Sequence, residues 1–252
     1  MPTATQAREW LDRWDRQQER YIADREERFA VIADVVAATV DGDSPRILDL
    51  GCGPGSLSVR LLNRFPAAAV VAVDADPLLL GLARSAYFDR PGLRIVERDL
   101  RGDDWVAAVG EGGFDAVVST TALHWLTGAE LAAVYTRCAE LLRPAGVLIN
   151  GDHLAVGGGR ETLQHIASHV EDSRAERVGV LGNEEWAAWW QAVEAAPELA
   201  DLAGERGARP LDHNVPEPPT LDDHVELLTA AGFAEVGTVW QHGTDRVLVA
   251  VR

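Results

Sequence analysis

The stretch Arg46-Ile47-Leu48-Asp49-Leu50-Gly51-Cys52-Gly53-Pro54-Gly55-Ser56 constrains this chain more than any other. An apolar run holding one acid leads into three glycines at alternate positions, and a helix-compatible segment, Gly55 to Arg64, follows. That order reads as strand, tight turn and helix. Glycine adopts backbone conformations closed to other residues and lets a ligand approach the main chain, while the helix N-terminus beyond presents unpaired N–H groups. In an open parallel sheet, such a turn lies at the carboxyl edge where the strand order reverses and ligands bind.

The rhythm continues downstream, and the alternation of short apolar runs with helical segments predicts a doubly wound α/β fold. Strands are expected at Arg46 to Leu50, Val70 to Asp74, Leu93 to Asp99, Phe114 to Thr120 and Gly146 to Gly151. Helices are expected at Pro77 to Phe88 and Ala129 to Leu142, with a short one near Asp103 to Val109. Upstream, residues 4 to 40 read as one amphipathic helix carrying Trp10, Trp14, Tyr21, Phe29 and Ile32, ended by Asp41 to Pro45. After Gly151 three helical stretches, Glu161 to Arg177, Glu184 to Ala195 and Pro197 to Glu205, read as an inserted cap, with Asn183 as the N-cap of the second. A proline-bearing linker, Arg209 to Pro219, precedes a last helix, Leu221 to Ala231, and a hairpin across His242 to Asp245. The expected divisions are therefore an N-terminal helical arm or lid (1–45), a core (46–151), a helical cap (152–219) and a closing helix and hairpin (220–252).

Charge and composition narrow the ligands. The formal net charge of −17 opposes binding to a phosphate backbone, so no nucleic-acid partner is expected. All 23 basic residues are arginine, which removes lysine as base or Schiff-base former. No run approaches the roughly 20 apolar residues of a membrane span, and the first 20 residues are charged where a signal peptide needs an apolar stretch, so a cytoplasmic protein with no membrane partner is expected. Cys52 and Cys138 lie far apart and form no thiolate metal pattern. The oligomeric state is not legible.

The second strand ends at Asp74, placed to accept the ribose hydroxyls of a nucleoside ligand. A dinucleotide would want Gly-x-Gly-x-x-Gly and no acid beside its pyrophosphate. Here Gly51-x-Gly53-x-Gly55 and Asp49 favour a cationic ligand over NAD.

Leu48 to Gly55 resembles the first motif of the class I S-adenosylmethionine-dependent methyltransferases. Val73-Asp74-Ala75-Asp76, Glu97-Arg98-Asp99-Leu100 and Leu142 to Leu148 resemble later motifs of the same family, and Phe114 to Leu126 is similar to small-molecule members related to trans-aconitate methyltransferase. The resemblance implies a Rossmann-like seven-stranded sheet with an antiparallel last strand, S-adenosylmethionine as cofactor and S-adenosylhomocysteine as its product. It implies that Gly51, Cys52, Gly53 and Gly55 border the methionine part and that Asp49 helps hold its ammonium. Asp74 and Ala75 would meet the ribose, Asp99 and Leu100 the adenine, and Ser119 and Thr120 the sulfonium side. Methyl transfer to an O, N or carboxylate acceptor of a small-molecule metabolite is the expected reaction. A protein that binds the same cofactor without methylating is the alternative.

Methyl transfer is an in-line displacement, so alignment supplies much of the acceleration, and a base is needed only where the acceptor must lose a proton. His124, after the fourth strand, and His153, after the fifth, are the catalytic candidates. Tyr21, Trp125, Trp186, Trp189 and Trp190 are candidate substrate walls, each of which could equally serve packing. His165 and His169 share a helical face and could meet Asp152, His153 or His213 around a metal, but two solvent-facing histidines are the default, so no metal is assigned.

Overall fold

Apolar β-branched residues such as Val70, Val71, Val73, Val117, Val118 and Ile149 fill the interior strands, and they are buried because helices cover both faces of the sheet. The computed structural model describes all residues of the chain except Asp41, Pro210, Asp212, His213 and Asn214. Its strands are β1 (Arg46–Leu50), β2 (Ala69–Asp74), β3 (Leu93–Glu97), β4 (Phe114–Thr120), β5 (Leu142–His153), β6 (Glu235–His242) and β7 (Asp245–Val251). They form one sheet in the order β3-β2-β1-β4-β5-β7-β6. The first five are parallel, and β7 inserts antiparallel between β5 and β6. The doubly wound sheet with its antiparallel last strand is thus the observed fold.

The helices are α1 (Ala4–Glu19), α2 (Arg25–Thr39), α3 (Ser56–Arg64), α4 (Pro77–Ala86), α5 (Asp104–Val109), α6 (Gly128–Leu141), α7 (Glu161–Val178), α8 (Trp186–Ala195), α9 (Ala200–Gly207) and α10 (Leu221–Ala230). One face of the sheet packs on α2 and α3 through Phe29, Ile32, Leu57 and Leu61, the other on α5, α6 and α10 through Trp105, Leu131, Tyr135 and Leu228. A separate apolar cluster joins α1, α4, α8 and α9 beyond the carboxyl edge, around Trp10, Trp14, Leu78, Leu82, Trp189 and Leu202.

Four expectations need correcting. The single helix over residues 4 to 40 is two helices: the chain turns at 20–24, where Ile22 is buried and Asp24 accepts a forked pair of bonds from Arg174 of α7. No glycine or proline marks that break, so tertiary contacts impose it. Second, β3 ends at Glu97, which leaves Asp99 on a turn with its carboxylate accepting from Arg101 N at 2.9 Å. Third, β5 runs two residues past Gly151, because β7 pairs Arg246 with Asp152 and Asp245 with His153. Fourth, Asn183 does not cap α8; its side-chain amide donates to Arg16 O at 2.8 Å, and Glu185 stands at the N-cap.

Candidate active site

The turn after β1 is shaped by positive φ at Gly51 (66°), Gly53 (53°) and Gly55 (86°). Gly51 is sterically obligatory: a Cβ there would lie 2.2 Å from Ala122 Cβ in the segment after β4. The turn is pinned from β2, since Gly53 N donates to Asp74 Oδ2 at 2.7 Å and Asp76 N donates to Asp74 Oδ1 at 2.8 Å. Burial pushes the Asp74 carboxyl up to about 6 against the pull of these backbone donors. Asp49 is fully buried. Its Oδ2 accepts from the Ser58 hydroxyl at 2.6 Å, whereas Oδ1 has no partner. Burial raises Asp49 to about 7, the Ser58 bond opposes this and the nearby Asp74 charge adds to it. A buried carboxylate oxygen without a partner at the carboxyl edge of a sheet is a costly arrangement that a cationic ligand group relieves.

A cavity of about 470 Å³ crosses these strand ends, within the range of small-molecule and cofactor sites. It runs from Asp74 and Asp76 past Gly51, Cys52 and Gly53 to Thr120 and Thr121, and on to His124, Trp125 and His153. Thr121 holds a φ of 50°, a left-handed conformation uncommon for threonine. The roof comes from elsewhere: Trp14 and Gln18 of α1, Tyr21 and Ile22 of the following turn, Arg25 of α2, Trp186 and Trp190 of α8, and Arg206 of α9.

At the β4–β5 end, His124 Nδ1 lies 2.9 and 3.0 Å from the two oxygens of the buried Asp152 carboxylate. Burial alone would raise Asp152, but the adjacent His124 overrides it and holds the carboxyl below its ordinary range. Consecutive strand residues face opposite sides, so His153 meets a different environment. Its Nδ1 is 3.6 Å from Glu171 Oε2 of α7. Burial opposes the charged imidazole, yet Glu171 and Asp245 raise His153 above its usual value, and Glu171 itself is drawn down to about 2.

Of the residues expected from sequence, Gly51, Cys52, Gly53, Asp74, Thr120, His124, Trp125, His153, Tyr21, Trp186 and Trp190 all line this one cavity. Asp49, Gly55, Ala75 and Ser119 do not line it. The Ser119 hydroxyl donates to Leu50 O at 2.8 Å, joining β4 to β1, and Gly55 is the N-cap of α3. Asp99 and Leu100 do not border the cavity: Asp99 is exposed beside Arg101, and Leu100 packs against the core. Trp189 is a correction. It is wholly enclosed, with its ring in contact with Trp10, Trp14 and Trp190, so it anchors α8 on α1 and forms no part of the wall. His165 and His169 are exposed on α7, and His213 lies outside the described residues. Among the described residues no three His, Cys, Asp or Glu side chains are grouped to hold a metal.

The reading from sequence missed Asp152 as the partner of His124, and it missed Arg25 and Arg206. Arg25 donates to Asp15 Oδ1 at 2.9 Å, and Arg206 donates to Asp76 Oδ2 at 2.7 Å while its guanidinium lies 3.9 Å from the Trp190 ring centroid. No local motif announces either arginine, because each is brought in from a remote helix.

Residues 47–146 match the family described as methyltransferase domain. Trans-aconitate 2-methyltransferase of Azoarcus sp. (strain BH72) is 33% identical over 135 residues, 54% of this chain and 49% of that protein. The enzyme of the same name from Escherichia coli (strain K12 / DH10B) is 34% identical over 102 residues, 40% of this chain and 36% of that one. The matches thus span half or less of these relatives' length. In fold, magnesium protoporphyrin IX methyltransferase from Synechocystis PCC 6803, solved with bound SAH, superposes with a TM-score of 0.58 at 19% identity, covering 96% of this chain and 94% of that one. Among the described residues no helix is long and apolar enough to cross a membrane.

Proposed function

Because this chain carries a domain of the class I S-adenosylmethionine-dependent methyltransferase family, we propose that it transfers a methyl group to an O, N or carboxylate acceptor of a small-molecule metabolite, and that the cavity over the strand ends is where it does so. The observation that carries the reading is the joining of two chemistries in one cavity. At the β1–β2 end stand Asp74 and, two residues before the lining Gly51, Asp49 with an unpartnered oxygen; at the β4–β5 end stands the His124–Asp152 pair.

The residues fit the cofactor that the family implies. Asp49 Oδ1 supplies a buried anionic acceptor for an ammonium, Asp74 lies where ribose hydroxyls can donate, and the backbone at Gly53, where the nearest atom to a Cβ would be Leu79 Cδ1 at 3.9 Å, leaves room for close approach. When bound, S-adenosylmethionine supplies an electrophilic methyl carbon on a sulfonium sulfur. The chain's own part is then positioning. Thr120, the last residue of β4, and Thr121 after it line the cavity and would border the point of transfer. Asp152 accepts from His124 Nδ1 and so fixes the ring, leaving Nε2 as the atom able to take a proton from an acceptor. His153 borders the same end of the cavity as a second proton-handling group, oriented by Glu171. Tyr21, Ile22, Trp125 and Trp186 line the cavity, and α1 with the turn after it, Arg25, α8 and α9 form its cover.

The reading is tested by titrating the purified protein with S-adenosylhomocysteine in a calorimeter and then following labelled methyl from S-adenosylmethionine into a metabolite extract. Binding with transfer supports it. Binding without transfer points to a cofactor-binding role, and uptake of NAD in place of either nucleoside refutes the reading.

A further inference from the structure

The geometry points to an uncharged, planar hydroxyl compound of the phenol type as the acceptor for this cavity, an inference that rests on the methyl-transfer reading above. Among the described residues, every arginine and histidine in the cavity wall already faces a carboxylate. Arg25 is held by Asp15 at 2.9 Å, Arg206 by Asp76 at 2.7 Å, His124 by Asp152 at 2.9 Å and His153 by Glu171 at 3.6 Å. An anionic acceptor would have to break one of these pairs or enter a cavity bordered by Asp74 in which the protein offers no unmatched cation and only the cofactor's sulfonium faces it, and burying an incompletely paired charge is costly. For a tricarboxylate the difficulty recurs with each group.

The proton chemistry points the same way. A carboxylate only accepts, so the contact with Asp152 places the hydrogen on His124 Nδ1 and leaves the lone pair on Nε2. A carboxylic acceptor, with a pKa of about 4, is already ionised at neutral pH and gives such a base nothing to remove, whereas a phenol, at about 10, must lose its proton as it reacts. An ammonium acceptor also needs a base, but it would approach the cofactor's positive sulfur carrying a like charge. In the step, the phenol proton passes to His124 Nε2, the oxygen electron pair forms the new O–C bond to the methyl carbon, and the C–S pair stays on sulfur. The lining at this end is aromatic, which suits a flat ring: the His124 and Trp125 rings touch, 4.6 Å apart by centroid, and Tyr21 and Trp186 line the same cavity.

The test uses the full chain. Calorimetry with S-adenosylhomocysteine comes first; no heat of binding refutes the methyl-transfer reading, and this inference with it. With that ligand bound, catechol, 4-methylphenol, trans-aconitate and benzylamine are titrated, and each is then assayed with labelled S-adenosylmethionine. A phenol is expected to bind and to be methylated with kcat/KM about tenfold or more above trans-aconitate and benzylamine, and His124→Gln is expected to lower kcat for the phenol by about 10²-fold or more with KM nearly unchanged. The inference is overturned if neither phenol binds the loaded protein, if the preference over trans-aconitate or benzylamine is smaller than that, or if His124→Gln leaves kcat intact. In those cases the cofactor site still stands on the first titration, and the methyl-transfer reading is decided separately by labelled transfer into the metabolite extract.

Discussion

Asp152 holds His124 with both oxygens of a fully buried carboxylate, at 2.9 and 3.0 Å from Nδ1. The pair joins the last turns of β5 to the segment after β4, so the orientation of the imidazole is set by the sheet itself. Replacing Asp152 by Asn keeps the shape but offers the ring either a donor or a neutral acceptor. Both His124→Gln and Asp152→Asn are therefore expected to lower kcat by about 10²-fold or more, with affinity for S-adenosylhomocysteine changed little. Single-turnover transfer and calorimetry on the same preparations check this, and normal turnover in both variants would show that alignment alone does the catalysis.

Asp74 has two tasks, pinning the turn through Gly53 N and Asp76 N and facing the cavity. Asp74→Ala is expected to weaken S-adenosylhomocysteine binding by about 1.5–3 kcal/mol, the cost of losing a charged acceptor for ribose hydroxyls. Unchanged affinity by calorimetry would remove Asp74 from the ribose assignment.

With Asp49 raised to about 7 and Asp74 to about 6, the two carboxyls are part-protonated near neutrality. An ammonium arriving beside Asp49 favours its ionised form, so ligand binding at pH 7 is expected to release about half a proton, and less at pH 8.5 where the group is already ionised. The sign for the ligand-free fold follows from the same raised values. The folded state holds protons that the unfolded chain has lost, so these two groups subtract stability as pH rises from about 4 through 7. Calorimetry in buffers of different ionisation enthalpy reads the release directly, and it should vanish in Asp49→Asn.

Gly51 and Gly53 both have positive φ, but only Gly51 meets backbone-anchored atoms at once, with Ala122 Cβ 2.2 Å from the position a Cβ would take. At Gly53 the nearest atom is Leu79 Cδ1 at 3.9 Å. Gly51→Ala is therefore expected to cost about 2–5 kcal/mol, from strain plus overpacking, and Gly53→Ala about 1–2 kcal/mol from strain alone. Equal denaturation midpoints for the two would contradict the close approach of the strand ends.

Trp186 and Trp189 lie on one helix and have opposite expected roles. Trp189→Ala empties a fully enclosed site among Trp10, Trp14 and Trp190 and should cost about 3–5 kcal/mol of stability. Trp186 is 41% exposed and borders the cavity, so Trp186→Ala should spare most of the stability and show its effect in KM for the acceptor. Urea denaturation alongside steady-state kinetics separates the two.

Local chemistry was legible where it is written in adjacent residues. The alternating glycines, Asp49 and Asp74 announce the turn because each acts on atoms within a few residues or one strand away. What escaped the reading depends on long-range contacts. Nothing near Arg25 or Arg206 shows that helices far apart in sequence bring them to one cavity, and the break at 20–24 follows from Ile22 burying itself and Asp24 meeting Arg174, not from a helix-breaking residue. Asp152 was within reach: the alternation of β5 separates it from its neighbour His153, and that alone assigns the two residues different partners.

The insertion of β7 between β5 and β6 has a bearing on how the protein comes into being. During synthesis the strand that carries Asp152 and His153 emerges long before residues 245–251, the segment that will cover its open flank. Until then a nascent chain displays an unsatisfied apolar edge next to an unfinished cavity wall, a state prone to pairing with the wrong neighbour. A complete cavity thus has to wait for the hairpin, and agents that shield exposed strands should raise the yield of folded protein more than they raise its final stability.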